Sequence, residues 1–288
     1  MHKNTSFIIS SNNKNKNHYN DFSTKKTIVM GILNITEDSF YDGGKYNNTK
    51  SLIQQTKKML DEGASIIDIG AQSSRPGSKP ITEKKELEIL IPNIILLKSK
   101  FKDIIISVDT YRSKVAEECV KVGAEIINDI SAGEFDKNMF DTIKRLNVTY
   151  IIMHMQGNPT TMQNQPKYKN VTNDIIAFFE KKIKLLKKKK INNLVIDPGF
   201  GFGKNLNHNY EILRKLKKFK KFKLPILVGA SRKSMIYKLL ETNPQNALNG
   251  SSIINTIAIL NGANILRVHD VKEAVECIKI TNFLSKKK

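Results

Sequence analysis

Two clusters of hydroxyl and cationic side chains stand late in the chain and could bind an anion. The first is Ser231-Arg232-Lys233-Ser234, and the second is Arg267-Val268-His269-Asp270. Each cluster follows a short apolar run, and the first opens a predicted helix whose free N–H groups attract negative charge. Together they predict a site for a phosphate or a similar anion.

Carboxylate and amide side chains end three earlier apolar runs. They stand at Asp109, at Asn128 and Asp129, and at Asp197. An aspartate just before a helix is commonly a helix cap, and this alternative applies to each of them taken singly. Several such residues facing one opening are harder to explain as caps, so we interpret them as hydrogen-bonding groups of a binding site.

The most distinctive string is Asp-Pro-Gly-Phe-Gly-Phe-Gly-Lys at residues 197–204. It does not fit a P-loop, because Pro198 occupies the position of the first glycine and Asn205 that of the Ser/Thr. It does not fit G-x-G-x-x-G either, since its glycines alternate without a double spacer. The pattern predicts instead a loop whose backbone approaches a flat ligand, with aromatic rings packed around it.

Two early segments carry further polar groups. Residues 34–44 combine carboxylates, hydroxyls and a glycine pair, and an ordinary polar loop is an equal alternative there. The string Ser73-Ser74-Arg75-Pro76-Gly77 places hydroxyls and a guanidinium on a tight turn, which suits an anion.

Eight short apolar runs precede these polar groups and must position them. They lie at residues 28–33, 66–69, 104–108, 126–127, 150–153, 194–196, 226–228 and 265–266. Continuous apolar runs are typical of strands buried on both faces, and each interval is long enough for a crossover helix. The chain is therefore predicted to be an α/β protein with a single (β/α)8 TIM barrel, whose chemistry lies where the carboxyl ends of the strands meet.

The length of 288 residues agrees with one barrel, which typically needs about 250 residues. We expect a flexible polar N-terminal arm at residues 1–25 and the barrel at residues 26–288.

The net charge of +21 comes mainly from lysine. The densest lysine blocks, at residues 181–190 and 214–223, contain apolar residues at helical spacing, which is typical of amphipathic helices with a solvated outer face. We expect no nucleic-acid partner, although specific nucleic-acid binding is an open alternative.

No apolar run approaches the length of a membrane span, so we expect no membrane partner. The two cysteines are expected to be reduced and packed, which is typical of a cytoplasmic protein.

The motifs, in their order along the chain, resemble those of the dihydropteroate synthase family, over about residues 28–284. The matching strings include Met30-Gly-Ile-Leu-Asn-Ile-Thr, Ser74-Arg-Pro-Gly, Ser107-Val-Asp-Thr, Met153-His-Met-Gln-Gly, Asp197-Pro-Gly-Phe-Gly-Phe-Gly-Lys, Ser231-Arg-Lys-Ser and Arg267-Val-His-Asp-Val. The longer strings look most like those of enterobacterial enzymes.

The resemblance implies condensation of a dihydropterin diphosphate with 4-aminobenzoate, giving 7,8-dihydropteroate and diphosphate. It also implies Mg²⁺ as cofactor and a homodimer. The pterin would be held by Asp109, Asn128, Asp197 and Lys233, with Met153 and Phe202 packed on its ring.

The resemblance also implies sites for the diphosphate and for the aminobenzoate. The diphosphate would meet Ser74, Arg267 and His269, with Val268 in the same stretch and Asn34 as the Mg²⁺ ligand. The aminobenzoate would lie near Phe40, Arg75 and Pro76, with its carboxylate at Ser234. The catalytic residues would be Asp42, Lys233 and Arg267.

Three residues depart from the family pattern. Glu37 stands where the family commonly has Pro, Gln72 where it has Glu, and Ser74 where it has Thr. Serine keeps the hydroxyl but lacks the methyl group that restricts its rotamers. We expect retained activity with weaker aminobenzoate binding.

Two rival functions are open. A pterin-binding methyltransferase barrel would share Asp109, Asn128 and Asp197 but would not need the late anion clusters. A barrel that binds without catalysis, including one associated with nucleic acid, would fit the charge.

Overall fold

The computed structural model describes residues 26–35, 44–71, 81–158, 162 and 166–285. The predicted N-terminal arm at residues 1–25 lies outside the described residues.

Eight parallel strands form one sheet in the order β6-β5-β4-β3-β2-β1-β8-β7. They are β1 (Ile28–Asn34), β2 (Ile66–Gly70), β3 (Ile106–Asp109), β4 (Ile126–Asp129), β5 (Thr149–Met153), β6 (Leu194–Asp197), β7 (Leu227–Val228) and β8 (Ile265–Val268). A single bridge between Ile196 and Ile226 joins the two ends of the sheet and completes the ring. The predicted (β/α)8 barrel is confirmed.

Helices connect consecutive strands around the outside of the ring. They are α1 (Gly44–Asp61), α2 (Glu83–Lys100), α3 (Ser113–Lys121), α4 (Met139–Leu146), α5 (Val171–Lys188), α6 (Leu206–Arg214), α7 (Ser234–Tyr237), α8 (Leu248–Leu260) and α9 (Val271–Leu284). None of the helices in these described ranges has the length and apolar character needed to cross a membrane.

The second lysine-rich block is not one α-helix. Helix α6 ends at Arg214, and a 3₁₀ helix follows at Leu216–Phe222. Residues three apart lie on the same face of a 3₁₀ helix, so Leu216 and Phe219 are both buried while the lysines between them face outward.

Two hydrophobic layers hold the barrel together. The larger one lies between the strands and the helices and includes Val108, Ile127, Ile196 and Val268. The smaller one fills the ring itself and consists of Met30, Ile66, Ile126, Ile151, Val195, Leu227 and Ile265. Successive side chains of a strand point to opposite faces, so the strands supply both layers alternately.

Candidate active site

The residues two positions after the inner layer form the floor of the barrel mouth. Because side chains alternate along a strand, these residues also point into the ring, one level closer to the carboxyl ends of the strands. They are Ile32, Asp68, Asn128, Met153, Asp197, Gly229 and Arg267. The sheet register places Asp109 beside Asn128 and Met153 beside Asp197. The fold therefore brings together five of the predicted site residues on the floor.

Arg267 lies between two carboxylates at this level. Its Nε donates to Asp68 Oδ2 at 2.6 Å, and its Nη2 donates to Asp109 Oδ2 at 2.8 Å. Burial opposes the charge of Arg267, but the two carboxylates outweigh burial and raise its pKa. Burial also raises the pKa of Asp109 to about 7; Arg267 opposes this rise and Asp68 adds to it. The guanidinium is thus fixed in place and remains charged.

Asp68 belongs to the floor although no sequence motif points to it. It is fully buried, and its Oδ2 also accepts a hydrogen bond from Asn128 Nδ2 at 3.2 Å. Asp68 lies inside the second apolar run, at residues 66–69, where it is the single polar residue among apolar ones. Its position two residues after Ile66 is the signal that could have found it, because the same spacing relates Asn128 to Ile126.

Asp197 and Lys233 form the opposite side of the floor. Asp197 Oδ1 accepts a hydrogen bond from the Gly199 N–H at 2.7 Å. Lys233 Nζ donates to the Phe200 carbonyl at 2.6 Å and lies 4.5 Å from the centre of the Phe202 ring. Burial raises the pKa of Asp197 against the opposing charge of Lys233. Burial lowers the pKa of Lys233 to about 8, and Asp197 opposes that change.

An apolar wall stands beside these polar groups. Ile130, Met153, Met162 and Phe202 form a buried cluster, against which Tyr111 and Met155 pack. The predicted ring-packing pair, Met153 and Phe202, is therefore in one cluster. A flat ring held by the floor would find an apolar surface here.

Two glycines of residues 199–203, Gly199 and Gly203, approach the loop after β5, a contact that the sequence pattern does not predict. A Cβ at Gly199 would collide with the His154 carbonyl, and one at Gly203 would come 2.6 Å from the Gln156 carbonyl. Both glycines have positive φ, at 74° and 62°. The alternation lets the loops after β5 and β6 pack closely, and it turns Phe200 into the outer core and Phe202 into the wall.

The loops after β7 and β8 meet through Ser231 and His269, whose Oγ and Nδ1 are 3.2 Å apart. Arg232 does not join them, because its guanidinium pairs with both oxygens of Asp270, at 2.8 Å each. Ser234 begins α7, as predicted. The side chain of Val268 lies in the outer core, so only its backbone can reach the mouth.

Comparison with known proteins identifies the family. Residues 30–269 match the family described as pterin binding enzyme. The dihydropteroate synthase of Escherichia coli K12 is 44% identical over 254 residues, which span 88% of this chain and 89% of that protein. The chain belongs to the dihydropteroate synthase family.

Solved structures of dihydropteroate synthases superpose closely on this chain. Yersinia pestis dihydropteroate synthase, in a sulfonamide drug complex, superposes with a TM-score of 0.87 at 41% identity, covering 96% of this chain and 98% of that one. The Xanthomonas albilineans enzyme in complex with 7,8-dihydropteroate gives 0.82 at 30% identity, covering 92% and 96%. The expected family resemblance is confirmed.

One buried cation, Lys204, and one buried acid, Asp129, have structural roles beside the floor. Lys204 Nζ donates to the carbonyls of His154 and Phe202, at 3.1 and 2.8 Å, and so ties the loop after β5 to the loop after β6. Asp129 accepts hydrogen bonds from Ser131, Gly133 and the Tyr150 hydroxyl, and so folds the loop after β4.

Several predicted residues lie at or beyond the edge of what the structure describes. Asn34 ends β1 beside Gly70 and is exposed at the mouth. No group of three or more His, Cys, Asp or Glu suited to a metal occurs within the described ranges. Five predicted site residues lie outside these ranges, as do Glu37 and Gln72: Phe40, Asp42, Ser74, Arg75 and Pro76.

Proposed function

We propose that this chain condenses (7,8-dihydropterin-6-yl)methyl diphosphate with 4-aminobenzoate, giving 7,8-dihydropteroate and diphosphate. The observation that carries the proposal is the barrel floor. Hydrogen-bond acceptors on buried strand ends lie beside two cations and an apolar wall, and this set matches a flat, donor-rich ring that carries a diphosphate.

The pterin binds across the floor. Its amidine-like edge presents N–H donors, which the Asp197 carboxylate and the Asn128 amide oxygen accept, while Asp109 accepts a further donor. Met153 and Phe202 pack on the ring. The proximity of the Lys233 amine to both Asp197 and Phe202 supports its role at the same ring.

The diphosphate binds above Arg267, His269 and Ser74. Support comes from the fixed guanidinium of Arg267 and from the Ser231–His269 contact, which places an imidazole at the mouth. An exposed amide oxygen at Asn34 fits Mg²⁺, because this ion commonly takes one or two protein oxygens together with waters and substrate phosphates. When bound, Mg²⁺ neutralises part of the diphosphate charge.

The aminobenzoate binds near Phe40, Arg75 and Pro76, with its carboxylate at Ser234. Ser234 lies directly after Lys233, so an aminobenzoate held there would have its amine close to the pterin. Asp42 stabilises the positive charge on the pterin during the reaction.

The reaction proceeds by departure of diphosphate followed by attack of the amine. The bond from the pterin methylene carbon to oxygen breaks with both electrons on diphosphate, and the amine nitrogen then bonds to that carbon and releases a proton. An aromatic amine is unprotonated at neutral pH, so no strong base is needed to activate it. Catalysis rests on positioning and on neutralisation of the leaving group by Arg267, His269 and Lys233.

The protein acts as a cytoplasmic homodimer. Apolar side chains of α8 and α9, including Ile253, Leu260, Ile280 and Phe283, are exposed and offer a face for a second copy. Cys119 and Cys277 are free and buried, which fits a reducing compartment.

Product formation tests the proposal. Purified protein is supplied with the dihydropterin diphosphate, Mg²⁺ and ¹⁵N-labelled 4-aminobenzoate, and the product is analysed by mass spectrometry. We expect 7,8-dihydropteroate that carries the label. Label found only in unreacted aminobenzoate would refute the proposed reaction.

A further inference from the structure

Asp68 makes its hydrogen bonds to Asn128 and Arg267 through a single carboxylate oxygen. Oδ2 accepts from Asn128 Nδ2 at 3.2 Å and from Arg267 Nε at 2.6 Å. Asp68 has no exposed surface and Asn128 only 4%, so water cannot readily replace either partner. One buried oxygen therefore holds a group from β4 and a group from β8 in fixed positions.

The contact with Asp68 determines which way the Asn128 amide faces. An amide has a donor end, the NH₂ group, and an acceptor end, the oxygen. An ionised carboxylate only accepts, so the donor end must face Asp68 and the amide oxygen is directed away from it. Rotating the amide would set two oxygens against each other in a buried site, which is strongly unfavourable.

We propose that Asp68 is a specificity-determining positioning residue, which holds the Asn128 oxygen toward the bound ring and so selects rings that present N–H donors there. The inference rests on the proposed function, since it takes the pterin as the bound ring. Asp68 touches no substrate itself and acts through Asn128. Its second contact aligns Arg267, so the acceptor for the ring and the cation for the diphosphate share one support.

The test compares two ligands that differ at a single group. Pterin carries a 2-amino donor, and lumazine carries an oxygen in its place. Their dissociation constants are measured by calorimetry for the wild type and for Asp68→Ala and Asp68→Asn. The ratio of the two constants cancels any general weakening of the site.

The two variants separate amide orientation from charge. Asp68→Ala removes the acceptor and frees the Asn128 amide to turn its NH₂ group toward lumazine, so the preference for pterin should fall about tenfold. Asp68→Asn loses the charge but can place its amide oxygen where Oδ2 lies, so the preference should stay within about twofold of the wild type.

Glu125→Gln is the matched control. Glu125 is a partly buried carboxylate that pairs with Lys98 and accepts from the Ile106 N–H at the opposite end of the barrel. Its loss should lower stability without changing the preference for pterin.

Two further measurements apply if Asp68→Ala does not fold. Asp68→Leu fills the volume while removing the acceptor, and the same fall in preference is expected. In ¹⁵N-labelled wild type, the Asn128 amide proton bonded to Asp68 should exchange slowly with solvent both with and without bound pterin, and rapid exchange in the wild type would count against the role of Asp68.

The outcomes are distinguishable. A wild type that binds neither ring would count against the proposed function. If the wild type prefers pterin, either of two results would overturn the role of Asp68. One is an Asp68→Ala protein that keeps the wild-type preference for pterin. The other is an Asp68→Asn protein whose preference falls as far as that of Asp68→Ala.

Discussion

At the scale of single residues, the site is a balance of buried charges around Arg267. A buried ion pair gains little over an apolar pair, but removing one partner leaves an uncompensated charge at a cost of about 3–5 kcal/mol. Arg267 has two partners, so Asp109 can change its protonation while Asp68 still holds the guanidinium. The charge of the floor can therefore change with pH while the Arg267 guanidinium stays in position.

Pterin affinity should depend on pH through Asp109. Its pKa is raised to about 7, so the acceptor form of the carboxylate predominates only above that pH. Lowering the pH from 8 to 6 reduces the ionised fraction about tenfold, and pterin affinity should fall by about that factor. Calorimetric titration of pterin across this range measures the effect.

Asp109→Asn is the control for this pH dependence. The variant should bind pterin more weakly at pH 8, and its affinity should change much less between pH 8 and 6. A slope equal to that of the wild type would assign the titration to another group, such as Lys233 with its pKa of about 8.

At the scale of elements, six of the eight strands extend past the carboxyl end of the apolar run that predicted them. Strand β4 includes Asn128 and Asp129, and β8 includes Arg267 and Val268. Backbone pairing continues after the inward side chain becomes polar, so the apolar run ends before the strand does. The apolar runs were enough to predict the number, type and order of the strands. The residue at which each strand ends could not be predicted, because backbone pairing continues past the apolar run.

The partners of the site residues were beyond sequence reasoning. Asp109, Asn128 and Asp197 could be predicted because each ends an apolar run, but Asp68 was hidden within one. The sequence also could not tell that Arg232 pairs with Asp270, or that Gly199 faces His154, because loops from different strands make these contacts.

Substitution of Gly199 should harm activity more than stability. Alanine at this positive φ is strained by about 1–2 kcal/mol, and its Cβ would push the loop away from the His154 carbonyl. The Gly199 N–H that holds Asp197 would move, so kcat/KM should fall by about tenfold or more. Steady-state kinetics and thermal unfolding of Gly199→Ala measure the two effects.

Gly123→Ala provides the comparison. Gly123 also has a positive φ, but a Cβ there would meet only the flexible side chain of Lys98. We expect a smaller loss of stability, from the backbone strain alone, and wild-type kinetics. Equal kinetic losses in the two variants would show that backbone strain alone, and not the position of Asp197, accounts for the Gly199 effect.

At the scale of the whole molecule, the densest group of exposed lysines and the largest group of exposed apolar residues belong to different helices. Lys184, Lys187 and Lys188 line the outside of α5, while the exposed apolar residues of α8 and α9 lie together, with 76% of Phe283 exposed. A large apolar side chain at that exposure favours an interface over a solvated helix end.

Phe283→Glu should therefore convert the proposed dimer to a monomer, because a charge would be buried in the interface. Light scattering after size exclusion measures the mass. Leu185→Glu, on the exposed side of α5, should leave the mass unchanged. A Phe283→Glu protein with the mass of the wild type would place the interface elsewhere.

The most direct measurement of the central claim is diphosphate release by the purified protein. The dihydropterin diphosphate is supplied with and without 4-aminobenzoate and Mg²⁺, beside an Asp197→Ala control. We predict sustained release that requires both additions and is lost in the control. Two results would contradict synthase activity at this barrel floor. One is a wild-type protein that binds pterin but releases no diphosphate, and the other is equal diphosphate release by Asp197→Ala.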